Sequence, residues 1–266
     1  LLMPEMSWAT QNIIAEEMTG ERVNDAQCNM KNAIEERFET SIIETYTSDV
    51  FSTTYVSNLV KGDDDSFDIC FVLDLYAPNY IKDKMVIPCD ELEYIDLTKP
   101  WWDQNCVESL TTKGYLPCAA SALNVNDKDA TAAIAFNKTI ASNNQIEDLY
   151  TVVREGKWTY DKLSSIAETV MQDLNGDGVM TPEEDIYGFL GARDVTESFY
   201  YGSGGQMVSK NSDGVFELTF GSERDINVTE KIIDLMNQPW FMNHHLIANQ
   251  DDNYYRQLFE QGYGLF

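Results

Sequence analysis

The segment from Asp173 to Glu184 carries oxygen-bearing side chains at the spacing of a calcium-binding loop. Its residues follow the pattern D-x-[DN]-x-[DN]-G-x5-E, in which Gly178 permits the sharp turn that wraps the ligands round the ion. Calcium takes about six to eight oxygen ligands, which this spacing supplies from side chains, one backbone carbonyl and a bidentate carboxylate. The predicted ligands are Asp173, Asn175, Asp177, the carbonyl of Val179, Thr181 or its bound water, and Glu184.

A metal-free polar turn is the alternative interpretation of the same segment. Asn175-Gly176 and Asp177-Gly178 are both pairs that mark turns on their own. A bare turn has no need of the acid at Glu184, and we therefore favour a calcium site. The sequence predicts calcium as the cofactor of this chain.

The residues that flank this loop decide whether calcium would switch the protein or stabilise it. Apolar residues over 163–174 recur at helical spacing, and Thr159 is a suitable N-cap. After Glu184, the run 186–190 contains Gly188 and is typical of a short strand rather than an exit helix. Without a second helix to reorient, the loop has no switch, and we expect calcium to have a structural role.

Charge and cysteine content exclude several kinds of partner. The chain has 18 Lys and Arg residues against 45 Asp and Glu residues, and its net charge of −27 repels nucleic acid. Its five cysteines include no CxxC pair, so neither zinc nor a redox motif is indicated, and their odd number leaves one or two disulfides open. No apolar stretch approaches the ~20 residues that span a bilayer. We therefore expect a partner other than nucleic acid.

Short apolar runs alternate with helical patterns, which predicts an α/β fold. The runs 67–73 and 132–136 are nearly continuous in apolar residues, as in strands that are buried on both faces of a parallel sheet. The polar stretch near 118–130 is the expected boundary between two lobes. We place the N-terminal lobe at 1–125 and the C-terminal lobe, which contains the calcium loop, at 126–266.

Helices are expected where apolar residues recur on one face. They do so over 26–38, after Asn24 and Asp25, which are good helix caps. Further helical patterns occupy 159–174, 228–238 and 251–261. After the last of these, the run 263–266 begins like a strand and stops, so we expect the sequence to be a fragment.

Adjacent aromatic residues beside polar or glycine-rich backbone are suited to stacking on the apolar face of a sugar ring. Trp101 and Trp102 form one such pair, and Tyr200 and Tyr201 form another before the glycine-rich stretch 202–205. Packing in the core is the alternative for each ring, and both interpretations stay open at this point. The stretch 202–205 lacks the Lys-Ser/Thr ending of a phosphate loop, so no nucleotide site is indicated.

No sequence signature indicates catalysis. The chain has no G-x-S-x-G, H-E-x-x-H or Cys-His arrangement, and no pair of carboxylates can be chosen as acid and base from spacing alone. His244 and His245 are neighbours, but adjacent residues on a helix diverge by about 100° and cannot readily share one metal. We expect no enzymatic activity, with a glycosidase as the open alternative.

Short stretches along the chain share the order and spacing of one family's motifs. In the first half they are Thr19-Gly20-Glu21-Arg22-Val23-Asn24-Asp25-Ala26 with Glu35-Glu36-Arg37-Phe38, Phe67-Asp68-Ile69, and Lys99-Pro100-Trp101-Trp102-Asp103-Gln104. In the second half they are Ala135-Phe136-Asn137-Lys138, Gly156-Lys157-Trp158-Thr159, and Asp173-Leu174-Asn175-Gly176-Asp177-Gly178 leading to Tyr187-Gly188. Together they resemble the extracellular solute-binding protein family 1 of bacterial carbohydrate ABC importers.

The resemblance implies a two-lobed α/β fold like that of periplasmic binding proteins. Each lobe would be a mostly parallel sheet flanked by helices, here incomplete at both termini. Such a protein closes on a sugar or oligosaccharide in an interlobe cleft and delivers it to an ABC permease, without chemistry on the ligand. The resemblance also implies an extracellular lipoprotein attached to the cell surface, and we expect a monomer. The alternatives are a secreted carbohydrate-active enzyme and a calcium-dependent extracellular interaction module.

Family position places the ligand-facing candidates in loops at strand ends. That placement agrees with the rule that open α/β sheets bind ligands beyond the carboxyl ends of their strands. The candidates are Glu17, Asp74, Tyr76, Trp101, Asp129, Tyr200, Tyr201 and Gly204. Stacking and hydroxyl contacts are generic, so the sequence does not specify which sugar is bound.

Overall fold

The structure is a computed structural model that describes residues 1–5, 12–48, 54–72, 76–125, 128, 131–192, 194–247 and 253–266. Contacts among the residues divide the chain into two compact units. Unit 1 consists of Leu1–Thr131 with Ser212–Val215, and unit 2 consists of Ala132–Asn211 with Phe216–Phe266. The predicted α/β class is confirmed, since helices are combined with small two-stranded sheets. None of the described helices has both the length and the apolar character that crossing a membrane requires.

Unit 1 contains a short pair of parallel strands and several helices. Strands β1, Leu2–Pro4, and β2, Thr45–Thr47, pair with Leu2 opposite Thr45. Leu2 also forms a parallel bridge with Cys70, so a third extended segment lies on the other side of β1. The helices are α1, Arg22–Phe38; α2, Thr54–Lys61; α3, Ala77–Lys82; and α4, Gln104–Leu110, with a 3-10 turn at Cys89–Glu91.

Helix α1 confirms the predicted helix, but its cap is not the one that the sequence predicts. Glu21 accepts a hydrogen bond from the backbone N–H of Asn24 at 2.8 Å, which starts the helix at Arg22. The prediction of Asn24 and Asp25 as caps is therefore wrong, and Asp25 instead adds negative charge to the first turn. The helix ends before Glu39, which adopts a left-handed conformation with φ 50°.

The run 67–73 is not the doubly buried strand that the sequence predicts. In its described part, only Cys70 forms a bridge, and Ile69 is 54% exposed. The backbone of Leu2 donates to Ile69 O at 2.8 Å and accepts from the N–H of Phe71 at 2.9 Å. Phe71 packs against a small buried cluster, whereas the side chain of Ile69 is exposed. The described residues of this run are less buried than their apolar composition predicts.

Unit 2 is built on a second pair of parallel strands. Strands β3, Phe189–Gly191, and β6, Phe241–Asn243, place Phe189 opposite Phe241, and the two rings stack with centroids 5.1 Å apart. Tyr187 forms a parallel bridge with Gly264, so the sheet extends on its other side. Strands β4, Val208–Lys210, and β5, Phe216–Leu218, form an antiparallel hairpin.

The helices of unit 2 include all three that the sequence predicts in this region. The helix predicted over 159–174 is α7, Tyr160–Val170, which is shorter because Met171 leaves the helical conformation with ψ 128°. The predicted helices 228–238 and 251–261 correspond to α9, Glu223–Met236, and α10, Tyr254–Gln261. Among the described residues of this unit, the helices are α5, Lys138–Asn143; α6, Leu149–Arg154; α7, Tyr160–Val170; α8, Asp194–Gly202; α9, Glu223–Met236; and α10, Tyr254–Gln261, with a 3-10 turn at His244–Leu246.

The second predicted strand, 132–136, is wrong. These residues form no strand, and Ile134 is exposed, whereas Phe136 packs against the core. Asn137 donates its backbone N–H to Leu265 O at 2.7 Å, and its side chain caps α5. Three of the five residues are alanines, which bury little apolar area, so the run gains little from entering a core.

The core of unit 2 forms where one face of α7 and one face of α9 meet β3 and β6. The buried residues of each helix lie on one side because they recur at helical spacing. This amphipathic spacing is the pattern from which the two helices are predicted. The buried residues include Leu163, Ile166, Ala167 and Val170 from α7, Ile232 and Leu235 from α9, and Phe189, Trp240 and Phe241 from the strands and their approaches.

Gly188 marks the closest approach of α7 to the segment that enters β3. A Cβ atom added at Gly188 would lie within 2.6 Å of the Cβ of Ala167, a residue that is completely buried. Real Cβ atoms do not come this close, so only a residue without a side chain allows the helix to pack here.

Substituting Gly188→Ala is expected to destabilise the chain, because the added methyl group must displace the α7 backbone. Overpacking of this kind costs about 1–3 kcal/mol. The free energy of unfolding, measured by urea denaturation, checks the prediction. Gly202→Ala is the matched control, since a Cβ at Gly202 meets no atom within 4 Å. Equal stability of the two variants would contradict the packing argument.

Candidate functional site

The predicted calcium loop connects α7 to β3, and its two ends are held together. Gln172 and Ile186 form an antiparallel bridge in which each backbone N–H donates to the other carbonyl at 2.9 Å. The segment after Glu184 continues into bridges and then β3, so the prediction that no exit helix follows is confirmed. The loop therefore joins a helix to a strand.

Within the loop, side-chain oxygens accept hydrogen bonds from the backbone. Asp173 accepts from the N–H of Gly176 at 2.7 Å and of Gly178 at 2.8 Å, which closes the first turn around its carboxylate. Asn175 accepts from the N–H of Asp177 at 2.9 Å. Gly176 and Gly178 have φ of 75° and 82°, values that suit glycine and allow the repeated turning of the chain.

Two of the predicted calcium ligands accept hydrogen bonds from the amide group of a third, Asn175. Asn175 Nδ2 donates to Glu184 Oε2 at 3.0 Å and to Asp177 Oδ2 at 3.3 Å. The carboxylates of Asp177 and Glu184 thus both lie within hydrogen-bond distance of the Asn175 amide group. Calcium takes oxygen ligands, so binding would require Asn175 to present its carbonyl oxygen in place of the amide nitrogen.

A metal site made of acidic, histidine or cysteine side chains alone is not found among the residues that the structure describes, since no three of them lie close enough together. Calcium loops also draw on amide and carbonyl oxygens, which Asn175 and Val179 would supply here. The calcium site therefore stays a prediction. Its residues have compatible chemistry in the positions that the spacing indicates.

Asp185 is the residue that sequence reasoning missed in this region. Its side chain has no solvent exposure, and it accepts from the N–H of Leu174 at 2.8 Å and of Thr181 at 2.7 Å. A carboxylate taken out of water needs such partners, and these two lie in opposite halves of the loop. The signal in the sequence was an acid directly before the apolar run 186–190.

The loop also packs against a second buried cluster in unit 2. Met180 contacts a group of residues that includes Tyr187, Tyr254 and Leu258. Burial raises the pKa of Tyr254 most, and a hydrogen bond with Glu183 raises it further. The loop is therefore attached to α10 as well as to α7 and β3.

Two of the ligand-facing candidates, Asp74 and Asp129, lie outside the described residues. Of those in unit 1, Glu17 is exposed, and its carbonyl accepts from the side chain of Asn24 at 2.8 Å. Tyr76 is half-buried, and Trp101 is 54% exposed.

Tyr200 and Tyr201 are neighbours with different environments. Tyr200 is only 3% exposed, and its hydroxyl donates to Asp225 at 2.8 Å. A Cβ at Gly205 would collide with the Tyr200 ring, so the glycine permits this packing. Tyr201 is 55% exposed. Of the two interpretations that the sequence left open, core packing describes Tyr200, while the ring of Tyr201 is accessible to a ligand.

A surface groove in unit 2 lies between the start of α7 and the first half of α9. An ion pair between Lys231 and Asp161 joins its two walls. Arg224 donates to the carbonyl of Ser203, in the turn that follows Tyr201, and lies 3.6 Å from the position that a Cβ at Gly204 would take. The groove is lined by Tyr160, Asp161, Glu223, Arg224, Asn227, Val228 and Lys231. Sequence reasoning missed it because its walls come from separate helices.

No protein-family model matches this chain, and no curated protein matches it. The resemblance to solute-binding proteins therefore remains a prediction.

Replacing Asp185 is expected to destabilise the loop even without calcium. In Asp185→Asn, an amide NH₂ would face a backbone N–H, which leaves a buried donor unsatisfied at a cost of about 1–3 kcal/mol. Urea denaturation in the presence of EDTA measures the free energy of unfolding. Glu168→Gln, an exposed acid on α7, is the control that should change little. A loss in the control as large as that in Asp185→Asn would contradict the assigned role.

The effect of Asp225→Asn should depend on pH. A hydrogen bond from the Ser222 side chain lowers the pKa of Asp225 most, followed by the bond from Tyr200. A lowered folded-state pKa adds stability that is complete above the unfolded pKa of about 3.9 and is lost as pH falls through the folded value. The Tm difference from the wild type should therefore be largest near neutral pH and shrink below about pH 4.

Thermal melts across the acid range check this prediction. Asp234→Asn is the control, because Asp234 is an exposed aspartate on the same helix. A Tm difference for Asp225→Asn that stays constant across the acid range would show that the carboxylate charge is not involved.

Proposed function

We propose that this chain captures a sugar or oligosaccharide outside the cell for delivery to an ABC permease. The two-lobed fold of solute-binding proteins, attachment to the cell surface as a lipoprotein and the monomeric state belong to the same proposal. The protein performs no chemistry on its ligand.

One observation carries this proposal: the accessible ring of Tyr201 lies near the end of α8, directly before a turn that Arg224 connects to a polar groove. Arg224 lines the groove and donates to Ser203, two residues of chain beyond Tyr201. Sugar sites combine an aromatic face, which stacks on the apolar side of the ring, with charged and amide groups that bind hydroxyls. Asp161, Glu223 and Asn227 supply such groups in the groove.

The parallel strand pairs give further support. Both β1–β2 and β3–β6 are parallel, as in the open α/β sheets that carry ligand sites at their strand ends. In unit 1, Trp101 offers a second accessible aromatic ring.

A thermal-shift panel of glucose, galactose, xylose, maltotriose and cellotriose tests the proposal. A bound sugar raises the Tm, because it stabilises the folded state alone. The Tyr201→Ala variant is expected to weaken the affinity for that sugar about tenfold by removing the stacking surface. Tyr94→Ala is the control, because Tyr94 is still more exposed and is not a ligand candidate.

The absence of a Tm shift with every sugar would contradict sugar capture. Equal affinity of the Tyr201→Ala variant and the wild type would contradict the role of Tyr201. Release of reducing ends from maltotriose or cellotriose would replace capture by hydrolysis as the function.

We also propose that calcium occupies the loop 173–184 and stabilises unit 2. The expected affinity is on the order of 10⁻⁴–10⁻³ M, which is typical of extracellular calcium modules. Calcium at about ten times this concentration should raise the Tm by a few degrees relative to EDTA. Its role is structural, since the loop leads into β3 rather than into a second helix.

The Glu184→Gln variant is expected to lose this calcium-dependent rise in Tm, because it removes a bidentate charged ligand. Its affinity for sugar should remain nearly that of the wild type. Glu168→Gln should keep the calcium effect. A wild-type Tm that is equal in calcium and EDTA would contradict the calcium site, and a large loss of sugar affinity in Glu184→Gln would place the loop in the sugar site.

A further inference from the structure

The sequence contains one Asn-Gly pair, Asn175-Gly176, and this pair lies inside the predicted calcium loop. Asparagine is thermolabile, because its side-chain amide can be attacked by the backbone nitrogen of the next residue. A glycine at the next position leaves that nitrogen unhindered, since it has no side chain. We propose that Asn175 is a site of spontaneous deamidation, and that groups of its own loop promote the reaction.

Both residues of the pair are accessible. Asn175 is exposed, so water can reach its side chain. A Cβ atom added at Gly176 would meet no atom within 4 Å, so the space beside the backbone of this residue is open. The surroundings therefore do not block an attack of the Gly176 nitrogen on the Asn175 amide.

The side chain of Asn175 folds back along the backbone that follows it. Asn175 Oδ1 accepts from the N–H of Asp177 at 2.9 Å, which closes a ring that contains both the Asn175 Cγ and the Gly176 nitrogen. Attack at Cγ develops negative charge on Oδ1, and a donor that already points at this oxygen stabilises that charge. The turn thus holds the reacting atoms in one ring and supplies the donor for the oxygen.

The carboxylate of Asp173 lies at the attacking nitrogen. Asp173 Oδ1 accepts from the N–H of Gly176 at 2.7 Å, so it is in position to take up the proton that this nitrogen must lose. Its other oxygen accepts from the N–H of Gly178 at 2.8 Å, which fixes the carboxylate within the loop. Asp173 therefore has the position of a general base for the reaction.

The nitrogen that leaves is held by two other carboxylates. Asn175 Nδ2 donates to Glu184 Oε2 at 3.0 Å and to Asp177 Oδ2 at 3.3 Å. These two bonds orient the amide so that its oxygen faces the N–H of Asp177. The attacking nitrogen, the oxygen that becomes charged and the leaving nitrogen thus each have a partner in the loop.

The reaction consumes water and releases ammonia. The Gly176 nitrogen forms a bond to the Asn175 Cγ and gives its proton to Asp173. The bond from Cγ to Nδ2 then breaks, and Nδ2 leaves as ammonia after it has received a proton, which leaves a succinimide ring. Water adds to one of the two carbonyl carbons of this ring and opens it. The product at position 175 is aspartate or isoaspartate, according to which carbon is attacked.

Either product changes the loop. Aspartate at position 175 places a further carboxylate beside those of Asp177 and Glu184, where the amide now donates to both, and like charges at this distance repel. Isoaspartate adds a methylene group to the backbone before Gly176, which displaces the N–H that Asp173 accepts. Deamidation therefore removes hydrogen bonds that hold the loop when no cation is bound.

Peptide mapping of the full chain during incubation at neutral pH in EDTA tests the proposal. Trypsin releases the peptide 163–193, whose only side-chain amides are those of Gln172 and Asn175, and fragmentation assigns the gain in mass to one of them. The peptide 211–224, whose only amide is that of Asn211, is the internal comparison, and a zero-time sample corrects for the digestion. We expect Asn175 to lose its amide progressively while Gln172 and Asn211 keep theirs.

The role of the loop is tested by a variant and by unfolding. Asp173→Asn keeps an oxygen that can accept hydrogen bonds but cannot take up the proton, and it should slow the reaction about tenfold, since a carboxylate is a weak base for an amide. Glu168→Gln, the exposed acid on α7, should react at the wild-type rate.

The wild type unfolded in urea should react more slowly than the folded chain, a comparison that holds even where Asp173→Asn does not fold. An Asn175 amide that stays intact in the folded wild type would overturn the proposal. A rate in urea as high as that of the folded chain would do the same, as would a folded Asp173→Asn variant that reacts at the wild-type rate. The experiment requires neither sugar nor calcium, so its outcome is independent of the proposed function.

Discussion

The buried carboxylate of Asp185 is the constraint on which the second unit depends most. It accepts backbone hydrogen bonds from Leu174 and Thr181, so it joins the start and the end of the loop. Without these partners, the buried charged group would be unsatisfied, and the folded state would be strongly destabilised. The end of α7 and the entry to β3 are consequently held in register, and Gly188 can pack directly against Ala167. The candidate calcium ligands lie in the loop that these two hydrogen bonds hold.

Four helices of this chain were predictable because the signals that form them are local. One-sided apolar spacing and nearby caps indicated α1, α7, α9 and α10, and the structure contains all four. Their ends were less predictable. Glu21 rather than Asn24 caps α1, because the choice among neighbouring acceptors depends on backbone conformation that composition does not specify. The turns of the loop 173–184 were equally local, since two glycines determine them.

Burial of strands and aromatic rings was less predictable because it depends on residues elsewhere in the chain. The runs 67–73 and 132–136 have the composition of buried strands, yet the described residues of neither run are buried on both faces. Tyr200 and Tyr201 are chemically identical neighbours. Only the positions of Asp225 and Gly205 decide that the first ring is buried, and no local pattern reveals those positions.

The bridge between Tyr187 and Gly264 has a consequence for the order of folding. Tyr187 donates to Tyr263 O at 2.8 Å and accepts from Leu265 N–H at 3.1 Å, so this edge of the sheet is completed by residues made much later. Closing so long a loop costs conformational entropy before any stabilising contact forms. Pairings between residues so far apart in the chain therefore slow folding. During synthesis, the strand that follows the candidate calcium loop emerges with an unpaired edge, which is open to pairing with other chains.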